Sequence, residues 1–305
     1  MRIQRILCPV DFSATTEAGL APATSLATEY GADLILLHVL NFPFAQIEAL
    51  PPGFDVESYY EAMADEANAH MAGLFDADAA DFMEATTQVE RGVPHAEIAR
   101  VCKDGAIDLV VIPTHARRGL GRLLMGSTTD HVVRMVNCPV LTVHPGDTPA
   151  FKPETILCAT DFSHAADQAL RVACDMAQRY DARLVLLHVV TLWEYDPGNP
   201  SWRFPPLPEE YQSSLIEGPQ RELEARREQI SDTASEVDTL LVRGFDAAAE
   251  VVRVASSEVN ADLVVMGTHG HTGLAHLLLG SVAGKVVRTF PGPVLTVRQM
   301  DDSSD

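Results

Sequence analysis

The hydrophobic pattern switches repeatedly between two periods along the chain. Short runs that are apolar at every position, such as Leu34–Leu37, Leu109–Ile112, Leu184–Leu187 and Leu263–Met266, are bounded by glycine, proline, histidine, arginine or aspartate. Between them, apolar residues recur every three or four positions. The first kind reads as strands buried on both faces, the second as amphipathic helices that cover them. Strands are expected near 3–9, 33–40, 85–90, 108–113 and 139–144, then near 154–160, 183–190, 236–242, 262–267 and 293–298. Helices are expected near 14–30, 58–80, 94–104 and 127–137, then near 164–180, 208–231, 246–258 and 281–290. Local punctuation agrees, with Pro94 in a first helical turn and Asp246 at an N-cap position. Parallel strands joined by crossover helices make a doubly wound sheet, whose ligands bind beyond the strand C-termini near a switch in strand order.

The second half of this pattern repeats the first. Ile6-Leu-Cys-Pro-Val-Asp11-Phe-Ser13 returns as Ile156-Leu-Cys-Ala-Thr-Asp161-Phe-Ser163. Ala32-Asp-Leu-Ile-Leu-Leu-His38-Val39 returns as Ala182-Arg-Leu-Val-Leu-Leu-His188-Val189. Arg91-Gly92 matches Arg243-Gly244, and Cys138-Pro-Val-Leu-Thr-Val143 matches Gly292-Pro-Val-Leu-Thr-Val297. The chain is therefore expected to hold two tandem α/β domains, 1–147 and 152–300, each a five-stranded parallel Rossmann-like sheet. The cluster of Gly, Pro and Asp at Pro145–Pro153 separates them. Val140–Val143 and Val294–Val297 each follow a proline, as edge strands tolerate. Such edges need covering, so the halves are expected to associate within the chain as a pseudo-dimer about a two-fold axis, with a homodimer left open.

Composition narrows the partners. The 305 residues carry a formal net charge of −21, which argues against a nucleic-acid surface because phosphate backbones demand a basic stripe. Small anions are not excluded, since local N–H groups hold them in an acidic protein. Met1–Val10 lacks the apolar core of a signal peptide and no run reaches the length of a membrane span, so a cytoplasmic location away from membranes is expected. The five cysteines, Cys8, Cys102, Cys138, Cys158 and Cys174, show no metal-ligand spacing and read as reduced thiols.

The candidate chemistry lies after Leu263–Met266. There the chain passes Gly267 and a loop rich in glycine and histidine before a helical pattern opens at Gly280-Ser281. Gly267 and Gly270 permit close backbone approach or positive φ. Gly280 and Ser281 place free N–H groups and a hydroxyl at a helix N-terminus, where an anion is favoured. A capped helix with a flexible connection accounts for any one of these glycines; taken together they suit a phosphate. The loop is no Walker A sequence, because Gly280 to Lys285 is one residue short and lacks the following Ser or Thr. His269, His271 and His276 lack a carboxylate or cysteine partner for a zinc site, so no metal is assigned.

The spacing Gly267-x-x-Gly270, nine residues, then Gly280-Ser281 resembles the nucleotide-binding loop of the universal stress protein family, in its ATP-binding branch. The resemblance covers nearly all of both halves, and tandem members exist in that family. It implies an adenine nucleotide α-hydrolase-like fold and ATP, or another adenine nucleotide, as ligand, with or without Mg2+. It also implies roles for single residues. Asp161 and the backbone of Val189 would contact adenine, and the backbone at Ala159 and Gly267 would reach the ribose. Gly270, Gly280, Ser281 and Val282 would cradle the phosphates, with Thr160 and Met266 completing the site. Asp161 serves equally well as a cap for the helix that starts near Ser163. His38 and His188, at strand ends, read as structural histidines.

The first half departs from this pattern. Its loop reads Pro113-Thr-His-Ala116, nine residues, then Gly126-Ser127, so both leading glycines are replaced. Pro113 removes an N–H and Ala116 adds a methyl where phosphate would pass. Asp11, Val39, Gly126, Ser127 and Thr128 remain as a weaker site, and Arg117, Arg118 and Arg122 stand nearby in sequence. Pro- and aromatic-rich inserts at 41–60 and 191–211 follow the second strand of each half. Three functions compete. The first is a stress-response regulator that binds ATP and acts through conformation or an unnamed protein partner. The second is a slow ATP hydrolase or phosphotransferase, although only Asp161 could serve it, and at the adenine end; a fast enzyme needs a metal-holding carboxylate and a base near the γ-phosphate. The third is a nucleotide-free interaction module.

Overall fold

A computed structural model of the chain describes residues 2–13, 16–41, 51, 53–74, 85–114, 125–144, 151–191, 209–231, 233–234, 236–268 and 279–298. These residues form two compact units, divided between Phe151 and Lys152. In the first, β1 (Arg5–Pro9), α1 (Thr16–Tyr30), β2 (Asp33–Leu40), α2 (Val56–Ala72) and β3 (Ala85–Arg91) are followed by α3 (Pro94–Asp104), β4 (Leu109–Pro113), α4 (Ser127–Met135) and β5 (Val140–Val143). The second continues with β6 (Thr155–Ala159), α5 (His164–Tyr180), β7 (Arg183–Thr191), α6 (Glu209–Ile230), β8 (Glu236–Gly244), α7 (Ala247–Arg253), β9 (Leu263–Gly267), α8 (Ser281–Thr289) and β10 (Val294–Val297).

Within the first unit the strands lie in the order β3-β2-β1-β4-β5, and within the second β8-β7-β6-β9-β10, all parallel. The order reverses direction beside β1 and beside β6. At such a switch two neighbouring crossovers leave the sheet in opposite directions and open a crevice at the strand C-termini.

The central strands are the most apolar stretches and the deepest. Ile6, Leu7 and Cys8 in β1, and Ile156, Leu157 and Cys158 in β6, are wholly buried. Each large apolar side chain so placed contributes roughly 1.5–3 kcal/mol through burial. Burial pushes the Cys8 thiol up to about 12 and raises Cys158 as well. All five cysteines are free. One carboxylate pins each central strand at its start: Asp108 accepts from the N–H groups of Gln4 and Arg5 at 2.7 and 3.0 Å, and Asp262 from those of Glu154 and Thr155 at 3.0 and 2.9 Å.

Helix ends differ from expectation where a cap decides them. Helix α2 begins at Val56, because the Asp55 side chain accepts from Ser58 N, and it stops at Ala72 before Gly73. Helix α7 starts where Asp246 caps it, yet it ends at Arg253 and the expected helix continues over Val254–Glu258 as a π-helical turn. No helix among the described residues is long and apolar enough to cross a membrane. Trp193, Trp202 and most of the two inserts lie outside the described residues.

Candidate functional site

The crevice in the second unit is a cleft of about 350 Å³ at the C-terminal ends of β6, β7 and β9. Ala159, Thr160 and Asp161 follow β6 into it, Val189 reaches it from β7, and Met266 and Gly267 from β9. The first turn of α8 closes one end with Gly280, Ser281 and Val282, while Ala247 and Val251 of α7 supply an apolar wall. Nine of the ten residues selected from the sequence thus share one cleft; Gly270, like His269, His271 and His276, lies outside the described residues.

Among the described residues no side chain caps α8, whose N-cap is Gly280. Its first-turn N–H groups at Ser281, Val282 and Ala283 therefore open toward the cleft, where the helix dipole favours an anion. The N–H of Gly280, expected to be free, is not. It donates to the Thr268 carbonyl at 2.7 Å and fixes the helix entry to the end of β9. Gly267 needs no positive φ. Its hydrogen faces the start of α5, and a Cβ there would lie 3.0 Å from the Ala165 carbonyl carbon and 3.1 Å from the Ala166 nitrogen.

Asp161 is not the cap of α5. That role belongs to Ser163, whose hydroxyl accepts from Ala166 N at 3.3 Å. Asp161 stands two residues earlier and accepts from Ser163 N at 3.0 Å, which orients the carboxylate at the cleft edge. Asp11 holds the same turn in the first unit, accepting from Ser13 N at 3.0 Å.

Between each aspartate and serine sits a phenylalanine whose importance the sequence did not advertise. Phe12 and Phe162 adopt φ of 57° and 67°, a costly conformation for a bulky residue. Stacking on both ring faces offsets that cost. Phe162 lies on His188 with centroids 4.3 Å apart, and the Arg226 guanidinium covers its other face at 4.9 Å. Phe12 lies between His38 and His70, each at 4.4 Å. His188 Nδ1 lies 2.8 Å from the Thr160 carbonyl, and His38 Nδ1 lies 2.9 Å from that of Val10. A carbonyl only accepts, so Nδ1 carries the hydrogen in both rings. Arg226 is held in turn by Asp167 and Glu222 at 2.9 and 2.6 Å. The recurring Asp-Phe-Ser triplet was the available signal; His70 and Arg226 occupy unrelated positions in the repeat and left none.

Burial, the leading cause, lowers His188 below the ordinary imidazole value. The unfolded chain then binds a proton that the folded protein refuses. The resulting stability is full above about pH 6.5 and is lost as pH falls through the window beneath it. His188→Asn keeps a donor for Thr160 but cannot titrate. Its thermal midpoint is expected to fall less than the parent's between about pH 7 and pH 5; equal slopes would remove His188 from the account.

The corresponding cleft of the first unit is smaller, about 250 Å³, and gathers Asp11, Val39, Gly126, Ser127 and Thr128. Pro94 and Ile98 stand where the second unit has Ala247 and Val251, and Pro113 stands where it has Gly267. In the second unit Lys285 of α8 pairs with the α7 cap Asp246, a pairing that holds the Asp246 carboxyl below its usual range. In the first, His131 of α4 instead stacks on His95 of α3 at 4.4 Å. Among the described residues no three His, Cys, Asp or Glu side chains gather as a metal site.

The model of the Universal stress protein family matches residues 2–144 and again 153–298. A universal stress protein from Mycolicibacterium smegmatis is 28% identical over 299 residues, covering 96% of each chain. One from Thermus aquaticus is 38% identical over 146 residues, which is 48% of this chain and 98% of its own length. The crystal structure of a universal stress protein from Archaeoglobus fulgidus shares the fold, with a TM-score of 0.71 at 20% identity over 96% of this chain and 98% of that one.

Proposed function

The chain belongs to the universal stress protein family, and on that premise we propose that its second half binds ATP and serves as a stress-response regulator acting through conformation or a protein partner. One observation carries this reading: an oriented carboxylate, an apolar wall and an uncapped helix N-terminus meet in the same cleft. A purine needs an apolar slot with a polar group at its edge, which Val189, Ala247, Val251 and Asp161 provide. A phosphate chain needs convergent N–H donors, which the first turn of α8 provides. The formal charge of −21 does not oppose this, because those donors act at hydrogen-bond range. Asp161 is the only carboxylate lining the cleft among the described residues, so Mg2+ would arrive with the phosphates and not in a protein cage.

Mass spectrometry of small molecules released from freshly purified, denatured protein is expected to find an adenine nucleotide. Protein that releases none, and shows no ATP binding at millimolar concentration, would overturn the proposal.

A further inference from the structure

Resting on the ATP reading of the second cleft, we propose that Arg226 positions the nucleobase end of that site: its guanidinium clamps Phe162 and so fixes the turn that presents Asp161. Of the described residues, Thr160, Asp161, His188 and Val189 line the cleft, whereas Phe162 and Arg226 do not. The Phe162 ring acts from behind the turn. Against one face lies His188, 24° from parallel, and the next residue, Val189, lines the cleft. Against the other lies the Arg226 guanidinium. With that second face uncovered the ring would swing out, and its backbone, at a φ of 67°, would relax toward the ordinary region. Asp161 would turn with it, because its carboxylate is oriented by Ser163 N on the far side of Phe162.

The clamp is itself held. Arg226 Nε and Nη2 fork onto Asp167 at 2.9 and 3.5 Å, and Nη1 donates to Glu222 at 2.6 Å. Asp167 belongs to the first turn of α5, where its N–H donates to the Ser163 carbonyl at 2.9 Å. The guanidinium is thus tethered to the same turn that it covers. Only 14% of its side chain is exposed, and the attraction between a cation and a ring grows as water is excluded. The first half reaches the same arrangement with a different residue, since His70 of α2, the helix equivalent to α6, covers Phe12. Two unlike side chains arriving at one ring face mark that cover as something the turn requires.

The test is Arg226→Ala in the full chain. Alanine suits a helix, and Asp167 and Glu222 are 37% and 59% exposed, so the change strands no buried charge. Calorimetry should show ATP and ADP binding weakened by the same factor, about three- to tenfold, because the phosphate end is untouched. The preference for ATP over GTP should narrow, and Arg226→Lys, which keeps a cation over the ring, should recover part of both losses. In nucleotide-free protein the Ser163 amide should exchange its hydrogen faster in Arg226→Ala, while the Ser13 amide of the first half keeps the parent's rate. Should Arg226→Ala fail to fold, Asp167→Asn loosens the tether and should move the same readouts the same way. Unchanged Ser163 exchange, or ATP affinity and base preference equal to the parent's, would overturn the proposal. So would a loss for ATP that spares ADP, since Arg226 would then touch the γ-phosphate. A parent chain that binds no nucleotide, while Ser163 still loosens in the variant, would sink the ATP reading alone and support the clamp.

Discussion

Calorimetric titration of the intact chain with ATP is expected to resolve one tight site, in the second half, and a second at least about tenfold weaker, in the first. The two clefts sit at equivalent places in equivalent sheets, so the difference must come from what lines them. In the first, Pro94, Ile98 and Pro113 replace Ala247, Val251 and Gly267, and the volume falls from about 350 to about 250 Å³. Proline at 113 also has no N–H to offer. A charge-assisted hydrogen bond is worth roughly 1.5–3 kcal/mol, and about 1.4 kcal/mol is a factor of ten, so the loss of one such bond separates the sites. A paired substitution assigns them. Asp11 and Asp161 hold the same turn at the same 3.0 Å, so Asp11→Ala and Asp161→Ala disturb equivalent structure in opposite halves. Asp161→Ala should abolish the tight isotherm, while Asp11→Ala should leave it intact. Two sites of equal affinity, or a tight site that survives Asp161→Ala, would mean that the first cleft has been underrated.

The central strands were legible in the sequence because they carry short, continuous apolar runs, Leu34–Leu37, Leu184–Leu187 and Leu263–Met266 among them, although β2 and β7 run on past His38 and His188 to Leu40 and Thr191. Repetition then supplied the domain plan, and strand ends supplied the cleft. What stayed hidden depends on contacts between residues distant in the chain. No propensity predicts a phenylalanine in the left-handed region. Phe162 is held there by His188 from β7 and Arg226 from α6, and neither can be assigned to it by spacing. The Gly280 N–H was assigned to a ligand because a helix N-terminus leaves such groups free, but the Thr268 carbonyl takes it. The expected α7 helix runs without a break to 258 because a π-helical turn changes hydrogen bonding without changing the apolar period enough to notice.

Gly267 is the residue whose reason differs most from the one its sequence context implied, and it yields the second large effect. Gly267→Ala is expected to lower the stability of nucleotide-free protein by about 1–3 kcal/mol, seen as a fall of several degrees in thermal midpoint. The added methyl would stand 3.0–3.2 Å from Ala165 and Ala166, and two of the three atoms it meets are backbone. That backbone has little room to retreat. It is the first turn of α5, tied by the Ser163 cap and seated on buried Ala165, Ala166, Ala169 and Leu170. Any retreat would also drag Asp161 and Phe162, which lead into the same turn, so ATP affinity should fall together with stability. The first unit meets the same constraint from the other side. There the strand carries Pro113 and the helix carries the glycine, since a Cβ on Gly19 would lie 2.9 Å from the proline ring. Gly19→Ala should therefore also lower thermal stability, but without loss of the tight ATP site. If Gly267→Ala instead leaves the midpoint of the nucleotide-free protein unchanged and weakens only ATP binding, the glycine makes room for the ligand and not for the helix.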